Sequence, residues 1–154
     1  MSVESVREHL GRYGAEGKMR FLEGSIATVE LAAAGLGVEP DLIAKTLGVR
    51  LKGSGRVMAI VVKGTARLDN AKFKAAFGGK AQFVSGDECL AVTGHPPGGV
   101  CPFGLNDGIE VYLDQSLKAF PVVYPAAGSP DNCVETTLHE LEEWTGGTWV
   151  DVCR

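Results

Sequence analysis

The chain has 154 residues and a mass of 16.2 kDa, one domain's worth of sequence. At 45% hydrophobic and 22% charged it has a globular balance, which excludes a disordered chain. The longest strongly apolar run, residues 57–62, is too short to cross a bilayer. Residues 1–8 carry neither a basic nor an apolar leader region, so the sequence predicts a cytoplasmic protein with no membrane partner. The net charge of −4 conceals a block: residues 45–80 carry nine basic side chains and one acidic, net +8, between flanks of net −3 and −9. That placement argues against wrapping a long duplex. It suits either a solvated basic face or a local contact with a small anionic partner, such as one end of an RNA.

Val3, Val6, Leu10 and Tyr13 recur at helical spacing, with Ser2 as cap and Gly14 and Gly17 as stops. Phe21-Leu22 is a short extended piece. Thr28 caps a helix over 29–34 that Gly35 and Gly37 close. Pro40, at a first helical turn, predicts a helix over 41–47. Residues 48–52 and 56–63 read as two strands of a hairpin turning at Gly53-Ser54-Gly55. Asp69 caps a helix over 70–77 ended by Gly78-Gly79. Residues 82–84 form a strand, and Asp87 begins a short helix through Val92. Seven of the eleven residues 94–104 are Gly or Pro, which excludes regular structure there. Strands follow at 109–113, 122–124 and 133–135. Thr137 caps a helix over 138–144, with Glu140 at the capping-box position. Gly146-Gly147 ends it and a strand over 148–152 closes the chain. Helices and strands mix without strict alternation, which predicts an α+β fold with a mixed sheet, possibly closed.

The four cysteines, Cys89, Cys101, Cys133 and Cys153, are 12, 32 and 20 residues apart, too scattered for a zinc site. They read as free and mostly buried, with Cys101 set apart by its place in the Gly/Pro loop. No G-x-S-x-G nucleophile motif occurs. His9 and His139 fall on helix surfaces. His95 shares the loop with Cys101 and is its only nearby base, but an unperturbed thiol is only a few per cent ionised at neutral pH. What remains is backbone: Gly98 and Gly99 can present N–H groups to a ligand, stiffened by Pro97 and Pro102. Such donors stabilise an oxyanion or simply hold a carbonyl or phosphate.

The stretch Gly94-His95-Pro96-Pro97-Gly98-Gly99-Val100-Cys101-Pro102-Phe103-Gly104 resembles the signature loop of the YbaK/prolyl-tRNA editing-domain family. So do the segment Ile43-Ala44-Lys45-Thr46-Leu47, the stretch from Val62-Lys63-Gly64 to Lys72, and the turn Ala126-Ala127-Gly128-Ser129-Pro130, in the same order over nearly the whole chain. The resemblance implies a single editing domain over 1–154 with a mixed, barrel-like sheet and flanking helices. It also implies a free-standing, cofactor-free and metal-free deacylase of mischarged tRNA, most often tRNA(Pro), with prolyl-tRNA synthetase as a possible partner. Carried over by position, Lys45, Gly98 and Gly99 take the catalytic places, with Lys45 beside the tRNA 3′ end. Thr46, Val100, Cys101, Pro102, Gly128 and Ser129 take the substrate-binding ones. Cys101 stands where serine is frequent, and Ser129-Pro130-Asp131-Asn132 replaces a K-R-G type turn, which leaves the amino acid open. Two other readings stand beside it: an RNA-end or synthetase-binding module of the same fold, and a thiol enzyme using Cys101.

Overall fold

The computed structural model describes residues 2–154; Met1, the first residue of the N-terminal reading, lies outside them. Five α-helices flank nine strands in an α+β arrangement. Helix α1 is Ser2–Gly11, α2 Val29–Leu36, α3 Asn70–Phe77, α4 Cys89–Thr93 and α5 Leu138–Thr145. The strands are β1 Met19–Phe21, β2 Ile43–Leu51, β3 Val57–Lys63, β4 Ala81–Phe83, β5 Glu110–Asp114, β6 Val122–Pro125, β7 Asn132–Val134, β8 Thr136–Thr137 and β9 Thr148–Val150. Seven of them form a curled, half-barrel sheet in the order β8-β6-β2-β3-β5-β9, with β4 also on β2. The pair β1-β7 stands apart.

Local signals set most boundaries. The Thr28, Asp69 and Thr137 side chains each accept a backbone N–H of their helix's first turn, and Thr137 with Glu140 completes a capping box. Gly37, Gly78 and Gly146 end the same helices in the left-handed conformation. The hairpin turn also follows the sequence, with Arg50 opposite Val57, though its first strand begins five residues before the expected Gly48.

One expected element is different. The helix over 41–47 is absent: a single 3-10 turn, Pro40–Leu42, leads straight into β2. Pro40 does open a helical turn, but the seven-residue apolar strand β3 demands a partner of matching length, and β2 supplies it from Ala44 to Arg50. Ladder pairing along a buried strand outweighs a local start signal. The sequence reading also passed over the 3-10 helix at Gln115–Ala119.

The core lies on both faces of β3. On one side Phe73 of α3 packs with Val49, Met58, Ile60 and Val62. On the other, Val61 packs with Phe103, Leu113, Leu141 and α1's Val6 and Leu10. Among the described residues no helix is long and apolar enough to cross a membrane. Phe73 is wholly buried, so Phe73→Ala is expected to lower unfolding free energy by about 3–5 kcal/mol in urea titrations.

Candidate functional site

Strand β2 has two different edges. One is paired with β3 along almost its whole length. The other is divided: β6 pairs with Ile43 and Ala44 at one end, and β4 with Val49, Arg50 and Leu51 at the other. Between them Lys45, Thr46, Leu47 and Gly48 have no strand beside them, Gly48 being met only by the Val84 N–H. At this gap lies a cavity of about 190 Å³. Lys45, Thr46, Gly98 and Val100 line it. The remaining wall is mostly apolar, from Ile26, Ala32 and Leu36 on one side to Tyr124, Ala126 and Cys133 on the other.

Thr46 holds the one buried side-chain oxygen among the described residues that has no hydrogen-bond partner. Leaving a buried hydroxyl unpaired costs about 1–3 kcal/mol, so Thr46 carries an unmet hydrogen-bonding demand on a residue of the cavity wall. Lys45 is half-buried, and burial lowers its pKa below the ordinary lysine value, with the nearby Arg67 guanidinium acting in the same direction.

The loop 94–104 and the turn 126–132 interlock beside this cavity. A Cβ on Gly99 would stand 2.8 Å from the Gly128 carbonyl carbon and the Ser129 nitrogen, so only glycine allows the two backbones to meet. The Gly99 N–H donates to the Pro96 carbonyl at 3.0 Å and is therefore turned inward. Gly98 sits at φ +83° and packs on Ala27. Among the described residues the N–H groups of Gly98 and Val100 have no partner within the protein, and both residues line the cavity. Gly128 and Ser129 do not line it. Buried Asn132 pins their turn, accepting the Ser129 N–H at 3.1 Å and donating to the Ala127 carbonyl at 3.0 Å. The turn in turn holds the stretch before α2: Leu22 N–H donates to the Asp131 carbonyl and Ile26 N–H to the Pro130 carbonyl.

Helix α1 clamps both segments. The Ser2 hydroxyl lies between the Gly128 carbonyl at 2.5 Å, to which it donates, and His95 Nδ1 at 2.6 Å. His95 Nε2–H donates to the Phe103 carbonyl at 2.6 Å. His9 is not a free surface residue. Its Nδ1 accepts the Gly104 N–H at 3.0 Å and its Nε2–H donates to the Trp144 carbonyl at 2.5 Å, tying α1 to the loop and to α5. His139 is exposed.

Cys101 points away from the cavity. Its side chain is wholly buried among Val6, Leu10 and Phe103, and burial pushes the thiol pKa up to about 12. His95 Nε2 is 3.5 Å away, but that nitrogen's proton is directed at Phe103, so no base serves the thiol. A Cys101 thiolate nucleophile is therefore inconsistent with this geometry. Pro102 is buried on another side, against the cleft that holds His9 and Arg12. All four cysteines are free and buried. The sequence reading missed the wall residues Ile26, Ala27, Ala32 and Tyr124, which no motif marks. It also missed the clamping roles of Ser2 and His9, which depend on contacts more than ninety residues apart.

A half-barrel sheet with a small, mostly apolar cavity at its lysine-bearing gap is the arrangement on which the comparisons bear. Residues 23–144 match the aminoacyl-tRNA editing domain family, and the chain belongs to that family. It is 46% identical to the uncharacterized protein YwhH of Bacillus subtilis, over all of this chain and 98% of that one. It is 31% identical to a proline–tRNA ligase of Bacillus licheniformis, over 70% of this chain but only 18% of the ligase. A crystal structure of a candidate trans-editing enzyme for prolyl-tRNA synthetase superposes with a TM-score of 0.88 and 30% identity, covering 99% of this chain and 97% of that one.

Two outcomes follow from the buried groups. Burial lowers the His95 pKa below its ordinary value of 6.5, with the bond to Phe103 opposing in part. The unfolded chain therefore takes up the proton first, so His95's contribution is complete above pH 6.5 and drains away as pH falls toward the folded pKa. Urea midpoints measured from pH 7.5 to 5.5 are expected to fall in the wild type and to run flatter in His95→Gln. Thr46→Val removes an unpaired buried hydroxyl and is expected to leave stability unchanged or raise it by up to about 1 kcal/mol by the same measurement.

Proposed function

We propose that residues 1–154 act as one editing domain, a free-standing deacylase that hydrolyses the ester between a small, wrongly attached amino acid and tRNA. The observation that carries this reading is the cavity of about 190 Å³ that opens on Lys45. It has room for a small side chain and walls that are mostly apolar. Likeness to proline–tRNA ligases and to the candidate trans-editing enzyme supports tRNA(Pro) as the carrier and prolyl-tRNA synthetase as the partner system. A hydrolytic second sieve suits this task, because a methylene difference is worth only about 1–3 kcal/mol to a first binding pocket.

An aminoacyl ester is already activated, so positioning accounts for most of the work. In this reading the amino acid side chain fills the cavity and the Thr46 hydroxyl takes a polar atom of the aminoacyl group. Lys45 holds the ribose or its phosphate at the rim. Water attacks the carbonyl carbon, the free N–H groups of Gly98 and Val100 meet the oxyanion, and the ribose hydroxyl leaves with a proton. Gly99, Gly128 and Ser129 shape the loop that presents those donors, and Cys101 and Pro102 support it from behind.

The experiment is deacylation of tRNA(Pro) charged with Cys, Ala, Ser, Thr or Pro. Wild type is expected to clear at least one mischarged species and spare Pro-tRNA. Lys45→Ala is expected to lose about 10²-fold in kcat/KM, the scale of one lost transition-state contact. Cys101→Ser is expected to stay within a few-fold of wild type. Buffer-rate hydrolysis of every species, with and without synthetase, would remove the deacylase reading in favour of an RNA-end or synthetase-binding module.

A further inference from the structure

The aminoacyl cavity shares Lys45 and Val29 with a second, larger cleft of about 650 Å³ whose chemistry is different. Arg67 and Arg154 stand side by side on its wall, paired through their backbones by N–H to carbonyl bonds of 2.9 and 3.4 Å. Their neighbours Leu68 and Cys153 form an isolated bridge that fixes this pairing. Among the described residues neither arginine, nor Lys45, takes part in an ion pair, whereas Arg20, Arg50, Arg56 and Lys72 each have a carboxylate. Glu30 is the one acidic side chain on the cleft wall among the described residues. Three cationic side chains thus share one cleft wall with a single acidic side chain among the described residues.

Two further features give the cleft direction. Phe83 of β4 stands on its wall with 55% of its surface in water, an aromatic face the fold leaves uncovered. Asn70 belongs both to this cleft and to an adjoining groove that carries Lys74 and Lys80. The three hollows therefore run on from one another: small and apolar, then basic with an exposed ring, then basic again. Their shared residues are Lys45 at the first junction and Asn70 at the second.

We propose that the basic cleft is the subsite for the last unpaired nucleotides of the RNA 3′ end. Phe83 stacks on a base, and Arg67 with Arg154 holds the phosphates. An aromatic face combined with backbone-directed cations is how single-stranded nucleic acid is bound without a groove to read. The acidic remainder of the surface restricts this contact to the strand's end. The identity of the ligand rests on the deacylase reading; the cleft's chemistry does not.

The test uses the full chain and a 5′-fluorescein-labelled RNA tetranucleotide ending in CCA, titrated by fluorescence anisotropy. Phe83→Ala and Arg67→Ala are each expected to weaken binding about five- to tenfold, and Phe83→Trp to retain it. Arg67→Ala is also expected to flatten the dependence on salt by about one phosphate contact. With charged tRNA, both alanine variants are expected to raise KM in similar proportion while kcat stays within about twofold. Both side chains are exposed, so the variants keep the fold. Affinity and KM unchanged in both variants, or no binding of the tetranucleotide by wild type, would overturn the proposal while leaving any deacylase activity intact. Wild type that hydrolyses no charged tRNA yet binds the tetranucleotide with the expected variant dependence would support the cleft and remove the deacylase reading.

Discussion

The divided edge of β2 is the constraint on which the rest of this molecule depends. A nine-residue strand in the middle of a sheet would normally be flanked along both edges, and its backbone polar groups satisfied by ladder bonds. Here β6 covers two residues at one end and β4 three at the other. The stretch between them is Lys45–Gly48, and Lys45 and Thr46 within it line the small cavity. The gap is narrow because β3 holds the opposite edge in unbroken register, so the strand cannot sag into the space beside it. Loops, not strands, then close the site, and loops can present N–H groups that a ladder would have consumed.

Such loops need external support, and α1 provides it. Ser2 reaches the turn at Gly128 and the ring of His95, Ser5 abuts Gly104, and His9 spans from Gly104 to Trp144. The result is a polar network around the cavity in which nearly every buried group is paired. Its exception among the described residues is the Thr46 hydroxyl, an inaccessible oxygen on a residue of the cavity wall. A satisfied surround with one open group is what makes that hydroxyl informative. In a loosely bonded loop an unpaired oxygen would signify nothing.

The capping residues Thr28, Asp69 and Thr137 and the glycine stops were legible in the sequence, because helix ends are decided within four residues of the chain. The hairpin was legible for the same reason. The stretch 41–47 was not: its proline gave a true local signal, which a tertiary pairing with β3 overrode. The Gly/Pro loop and Lys45 were recognised as a constellation, but the sequence could not tell which donors face the cavity. Gly99 spends its N–H on Pro96, and Val100, an unremarkable residue, keeps its own free. Cys101 invited a chemical reading that only its burial could remove. The basic block at 45–80 was visible as charge, yet its meeting with Arg154 is set by the pairing of distant strands.

Four alanines, Ala27, Ala32, Ala44 and Ala126, stand on the wall of the small cavity. Each is a methyl group that a single codon change enlarges; Ala27 packs on Gly98, so enlarging it also presses on the glycine loop, whereas Ala32 belongs to α2. The volume of the hollow is therefore set in part by α2, an element separate from the strand that carries Lys45. The size of the hollow and the lysine at its mouth thus belong in part to different elements of the fold, and carbon added on the helix alters the first without altering the second.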